Sequence, residues 1–400
     1  MTRARAHAGR PVDADQHYYE LEESFTRHLE PAFRRRGIRF VSAGRRVEAV
    51  AGDRVNRFIP NPSFDPVIVP GCLDLLFRGQ IPDGVDPRTL PRVEPIRREY
   101  RDRDARIARL DAQGLDAALL FPTMGVGVEE ALRKDVPALM ATLRAFNRWL
   151  DEDWGFAHQN RLFAVPLIAL SDPAEAAREV EWCLSRGARM LHLRPAPVPT
   201  PSGYRSPGDA LFDPVWARID EAGLPVAMHL GDSGYQRWNA RWGESEEFEP
   251  FSAQPMDLGS MVSGTRAIHD MVAKLILDGV LTRFPRLRLV SVENGSDWLV
   301  LLEKRLRKKA NQSPRLFAEH PTETIRAKVY TTPYAEDDIP ALVERIGAGN
   351  VLFGSDWPHG EGLAEPLAFA DLLGGIPQPD AERILRDNLA GLLGLPEARA

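Results

Sequence analysis

Residues 162–193 read LFAVPLIALSDPAEAAREVEWCLSRGARMLHL and hold one complete strand–helix–strand unit. The run 162–170 is apolar and of strand length. Ser171-Asp172 then offers an N-cap, with Pro173 at the first helical position, and 173–185 continues as a helix. A second apolar run, 188–193, follows. Neither run alternates apolar with polar residues, so both predict strands buried on two faces, as in a parallel sheet flanked by helices.

Outward from this unit the pattern repeats. Strands are expected at 10–17, 117–121, 226–230, 287–293, 327–331 and 350–354. Helices are expected at 96–113, 129–154, 213–222, 263–281, 297–309 and 339–346, with 363–373 and 380–393 closing the chain. In 129–154, Leu139, Leu143, Phe146 and Leu150 fall on one helical face. Eight strands of this kind predict an α/β fold, a (β/α)8 TIM barrel with its site at the C-terminal strand ends. No Gly-rich loop follows the first strand, so the fingerprint of a dinucleotide-binding open sheet is missing. Between 20 and 95 no regular period persists, which indicates a long insertion after strand one that caps the site. It either closes the mouth or forms the interface of a homo-oligomer. Residues 1–395 are read as a single domain, with 396–400 as a tail.

Composition narrows the partners. Of 400 residues 44% are hydrophobic and 27% charged, a globular composition. The balance of 51 basic and 57 acidic residues, net −6, contains no basic block, which argues against nucleic acid. No run of about 18 apolar residues suggests a membrane span. The basic N-terminus lacks the apolar core of a secretory signal. Cys72 and Cys183 form no framework or zinc spacing, so the expected location is cytoplasmic.

Polar residues collect at the strand ends. Strand one ends in Asp13, Asp15 and His17, and Glu20 follows in the loop. Strand four carries His192 and Arg194, and strand five ends at His229. Strand six ends at Glu293, and strand eight runs into Asp356 and His359. Residues two apart on a strand share a face, and a barrel brings all these ends to one mouth. Several imidazoles and carboxylates around one point are what a metal site needs. The candidate ligands are therefore Asp15, His17, Glu20, His192, His229, Glu293, Asp356 and His359, with Asp356 and Glu293 also candidate catalytic groups. Arg194 is the candidate substrate-binding residue. The cap arginines Arg45, Arg46, Arg54 and Arg57 could hold a carboxylate or CoA phosphates. His7, His28, His158, His269 and His320 are read as structural.

Four segments together resemble the amidohydrolase-related family, the branch containing aminocarboxymuconate-semialdehyde and γ-resorcylate decarboxylases. They are Asp13-x-Asp15-x-His17, His229 after Pro-Val-Ala-Met, Glu293-x-Gly295-x-x-Trp298-Leu299, and Gly354-Ser355-Asp356-Trp357-Pro358-His359. The resemblance implies a distorted TIM barrel with a divalent metal at the mouth. Two departures stand out. The family's His-x-His on strand one is Asp15-x-His17 here, and its strand-six histidine is Glu293. Carboxylates thus replace hydrolase-type groups, and the chain resembles a smaller branch of non-haem di-iron monooxygenases from natural-product pathways such as platensimycin and platencin biosynthesis. That branch implies two iron ions, O2 and an external reductant, with hydroxylation of a C–H bond in a small, CoA-linked substrate. The alternative is a mononuclear decarboxylase or hydrolase with one zinc or manganese.

Overall fold

The computed structural model describes residues 9–44, 46–246 and 258–396. Residues 1–8 with His7, Arg45, and all of the expected tail but Pro396 lie outside the described residues. Seven parallel strands follow the expected order: β1 (Val12–Tyr18), β2 (Ala117–Pro122), β3 (Leu162–Ala164, resuming as Leu167–Ile168), β4 (Leu191–Leu193), β5 (Pro225–His229), β6 (Arg288–Val292) and β7 (Val329–Thr331). Regular pairing builds two arcs, β1-β2-β3 and resumed β3-β4-β5-β6-β7.

Single hydrogen bonds join the arcs at both seams. At the first, Pro166 interrupts β3 because it has no N–H for the ladder. There Val165 N–H donates to Leu120 O (3.0 Å), and His192 N–H donates to Pro166 O (2.9 Å). At the second, residues 351–357 occupy the eighth position. Leu352 N–H donates to Thr331 O (2.9 Å), Ala14 N–H to Phe353 O (2.8 Å) and His17 N–H to Trp357 O (2.8 Å). The expected strand 350–354 is thus an extended bridging segment rather than a ladder strand. Phe353 N–H turns instead to Ile384 O (3.1 Å).

The barrel wall sorts its side chains by parity. Ala117, Leu119, Phe121, Phe163, Val165, Met190, Ala227, Val290, Val292 and Leu352 pack inside with Val12 and Ala14. Their alternates, such as Ala118, Leu120, Ala164, Leu191, Val226, Met228 and Leu289, pack beneath the helices. Both faces are buried, hence the continuous apolar runs. Each such leucine contributes about 1.5–3 kcal/mol by leaving water.

Helix ends follow capping chemistry. Asp172 accepts from Ala174 N–H and Glu175 N–H and opens Pro173–Ser185, as expected. The expected helix 129–154 is two, Val128–Ala131 and Val136–Asp153, because Asp135 caps a fresh start with Pro137 in its first turn. Likewise Asp102 starts Arg103–Gln113 seven residues later than the expected 96. In place of 263–281 stand Leu258–Leu277 and Val280–Arg283, parted by Gly279 at φ 72°. No helix among the described residues is long and apolar enough to cross a membrane.

The insertion is partly regular. An antiparallel meander (Ile38–Ala43, Arg46–Ala51, Arg54–Asn56) is buried at its base and exposed at its tip, which erases any alternation in the sequence. Further on, the insertion docks on the loop after the eighth position. Gly71 N–H donates to His359 O (3.0 Å) and Leu73 N–H to Gly360 O (2.7 Å). Gly71 sits at φ 68°, where a Cβ would come within 2.4 Å of Ala364 N, so the close approach requires glycine.

Candidate metal centre

Parity alone would turn Asp15 and His17 away from the barrel axis, because Val12 and Ala14 face it. A β-bulge changes that. Val12 and Asp13 pair with Ala117 and Ala118, but Gln16 and His17 pair with Leu120 and Phe121, one residue out of step. The extra residue brings His17 level with inward-facing Phe121. On β6 the inward residues are Val290 and Val292, so Glu293 is also off parity. Its φ of 56° re-aims the carboxylate, and Asp356 is similarly left-handed at φ 55°. Such conformations are costly for residues with a Cβ and concentrate at functional sites.

The result is a compact set of donors. His17 Nε2 and His229 Nε2 are 3.1 Å apart. Asp15 Oδ1 lies 3.4 Å from the first and 3.3 Å from the second. Glu293 Oε2 is 3.1 Å from His229 Nε2, and Asp356 Oδ1 is 3.4 Å from His17 Nε2. His359 stacks on His17 with centroids 3.9 Å apart and places Nδ1 2.7 Å from Asp356 Oδ1. Its Nε2 is 3.1 Å from Thr123 Oγ1.

Titration reflects this crowding. Burial opposes a charge on His17, but the carboxylates of Asp15 and Glu293 raise it to about 9. Burial also opposes ionisation of Asp15, yet hydrogen bonds and charge from His17 and His229 hold it below the usual carboxylate range. Asp356 is pushed well above that range by burial, then by repulsion from Glu293 and Glu361. His359 is driven well below an ordinary imidazole by burial and by His17.

These residues fit a divalent cation. His229 Nδ1 is 2.7 Å from Leu230 O, so that nitrogen carries the proton and Nε2 offers its lone pair to the centre. Donors bonded to one ion at about 2.0–2.2 Å stand roughly 3–3.5 Å from one another, and the observed spacings match. The chain brings together Asp15, His17, His229 and Glu293, and likewise His17, Glu293, Asp356 and His359. His17 and Glu293 belong to both sets.

Three expected site residues are placed elsewhere. Glu20 stays outside the donor sets. Its Oε1 accepts from Met124 N–H (2.8 Å) and Gly125 N–H (2.7 Å), and burial raises its pKa to about 7. His192 faces the barrel interior by parity but joins neither set, and burial lowers its pKa to about 3. The Arg194 guanidinium is already engaged. It pairs with Glu129 (3.3 Å) and Glu130 (2.7 Å) and donates to Asp232 O and Pro197 O, which leaves little for a substrate carboxylate. The cap residues Arg46, Arg54 and Arg57 are on the exposed surface. His28, His158, His269 and His320 have local partners away from the centre, as expected.

Sequence reasoning missed two groups. Glu361 lies five residues past Asp356 in the loop that follows, and burial with repulsion from Glu293 raises it to about 7. Arg106 is wholly buried behind β1, donating to His17 O (2.7 Å) and Gln16 Oε1 (3.3 Å). Its signal was present: it stands four residues before Leu110, on the buried stripe of its helix.

A ring of parallel strands with imidazoles and carboxylates meeting at its C-terminal mouth defines the class, a barrel protein with a metal-binding set of side chains. A family profile described as amidohydrolase matches residues 12–395, and the chain belongs to that family. It is similar to a solved amidohydrolase from Mycobacterium avium subsp. paratuberculosis K-10, at 52% identity and TM-score 0.92, covering 97% of this chain and 100% of that one. Among more distant folds are a 2,6-dihydroxybenzoate decarboxylase from Rhizobium (18% identity, TM-score 0.58, 73% of this chain and 88% of that one) and a dihydroxybenzoic acid decarboxylase from Polaromonas sp. JS666. The latter, with bound manganese and 2-nitroresorcinol, is 18% identical at TM-score 0.57, covering 82% of this chain and 94% of that one. A search of curated proteins gives no match.

The oxidoreductase expectation is overturned. The matching family is that of amidohydrolases, and the similar folds are named as decarboxylases rather than oxygenases. Two irons find no support among these proteins, whereas one of the similar folds is named with bound manganese.

Proposed function

We propose that the protein is a decarboxylase or hydrolase of a small organic molecule, dependent on one divalent ion, zinc or manganese. The convergence of His17, His229, Asp15, Glu293 and Asp356 at the barrel mouth carries this reading. When bound, such an ion supplies Lewis-acid polarisation of a substrate oxygen. The remaining chemistry is proton movement, and Asp356 is the group suited to it. Burial and neighbouring carboxylates favour its protonated form. Its contact with His359 Nδ1, and that ring's contact with Thr123 Oγ1, form a path along which a proton can be resupplied. In decarboxylation Asp356 delivers a proton to the carbon that releases CO2. In hydrolysis it gives its proton to the leaving group and is restored by the proton that the attacking water loses. Manganese in a dihydroxybenzoic acid decarboxylase of similar fold supports the first branch, and membership of the amidohydrolase family supports the second.

The test has two parts. Metal analysis of protein purified without chelators is expected to give about one zinc or manganese per chain, with equal turnover in air and under argon. Asp356→Asn is expected to keep the metal and lose about 10²–10⁴-fold in kcat. Turnover that requires O2, or an Asp356→Asn variant of full activity, overturns the reading.

A further inference from the structure

The bulge in β1 decides whether Asp15 and His17 face the centre, and a buried polar brace holds it from behind. Asp13, fully buried, accepts four hydrogen bonds. Oδ1 takes Asp15 N–H (3.1 Å) and Ser355 N–H (3.0 Å), and Oδ2 takes Gln16 Nε2 (3.0 Å) and Ser355 Oγ (2.6 Å). It thus ties the bulge to the turn that carries Asp356. Gln16 passes the link on, accepting from Arg106 Nη1 (3.3 Å). Arg106 fixes the far end of the bulge through His17 O (2.7 Å) and anchors itself on Glu99 O (2.8 Å). Its guanidinium lies over the rings of Trp357 (4.7 Å) and Trp154 (5.5 Å). Neither Asp13 nor Arg106 belongs to the donor sets, yet between them they bond the backbone of Asp15, of His17 and of Ser355, the neighbour of Asp356.

We propose that Asp13 and Arg106 are positioning residues that set the affinity of the metal centre by locking the β1 bulge against the Ser355-Asp356 turn. This rests on the metal-dependent reading above. The physical reason is geometric. An unbulged β1 is a compact alternative register in which Asp15 and His17 point away from the axis, and a buried carboxylate with four donors makes that register expensive. Removing one acceptor from Asp13 strands a buried donor. Replacing the Arg106 fork by an ammonium cannot serve His17 O, Gln16 and Glu99 O at once.

The experiment compares Asp13→Asn and Arg106→Lys with wild type and with Arg109→Lys, a control on the same helix that touches Trp357 but bonds neither His17 nor Gln16. Each metal-free protein is titrated with Co2+ against a chromophoric chelator, and the d–d spectrum is recorded at saturation. The expected result is a Kd raised about 10- to 100-fold in both variants, an altered spectrum, and wild-type values for the control. Equal Kd and spectrum in folded Asp13→Asn and Arg106→Lys overturn the proposal, even if their melting temperatures fall. If Arg106→Lys does not fold, Asp13→Asn and Gln16→Leu carry the test. Failure of the wild type itself to bind any divalent ion sinks the metal-dependent reading instead, so the two failures are distinct.

Discussion

His17 and Glu293 show what single residues contribute. In the metal-free protein His17 is a cation among carboxylates, raised to about 9 by Asp15 and Glu293 against the pull of burial. A metal must displace that proton. Apparent metal affinity is therefore expected to rise about tenfold per pH unit from pH 7 to about 9 and then level off. Isothermal titration in buffers of different ionisation enthalpy checks this, since about one proton should be released per ion at pH 7.5. The sign for folding is opposite. A raised imidazole pKa stabilises the metal-free fold fully below about 6.5, and that contribution is lost as pH rises through 9. Glu293 adds backbone strain to charge. Glu293→Ala and Glu293→Gly both remove the carboxylate, but only glycine is at ease at φ 56°. Metal-free Glu293→Gly is expected to be about 1 kcal/mol more stable than Glu293→Ala in urea, and both are expected to bind metal more weakly than wild type.

At the scale of elements, the strands and most helices were legible because their signals are local. Apolar runs of strand length, Asp172 before Pro173, and polar residues at run ends require no knowledge of distant partners. The site was legible for a less secure reason. Asp15 and His17 do share a face, as their spacing indicates, but which face follows from a bulge that no residue in 12–18 announces. Glu293 reaches the centre only by a left-handed turn. Asp15 and His17 read as converging donors, and the sequence assigned no role to Asp13, which hydrogen-bonds the backbone behind them. Glu20 read as a ligand because it follows His17 closely, yet its carboxylate caps the turn at Gly125. Arg194 read as a free cation because the sequence does not show that Glu129 and Glu130, some 64 residues earlier, fold against it. Helix breaks at Asp102 and Asp135 were missed where apolar periodicity ran across a cap. The meander in the insertion was missed because it stands half in solvent.

The whole molecule places the centre across its seams. Asp15 and His17 come from one arc, His229 and Glu293 from the other, and Asp356 from the bridging segment that closes the ring. Among the described residues, no regular ladder spans the seams, which individual backbone hydrogen bonds cross. An ion held by all three therefore acts as a cross-link between arcs. The centre and the closure of the barrel are one thermodynamic unit: whatever binds the folded form alone stabilises it by mass action, about 2.7 kcal/mol at a hundredfold excess over Kd. The gain need not be uniform through the chain. Local opening at the second seam requires the bridge 351–357 to part from β1 and β7, which separates Asp356 from His17. Metal is thus expected to slow amide exchange most at Ala14, His17, Leu352 and Asp356, whose N–H groups cross that seam. Amides inside the β5–β6 ladder, such as those around Ala227 and Val290, should gain only the global increment. Hydrogen–deuterium exchange with and without manganese distinguishes the cases. Protection rising equally at both sets would mean that the ion stabilises the fold without bridging its arcs, and that the seam is as strong as the ladders on either side of it.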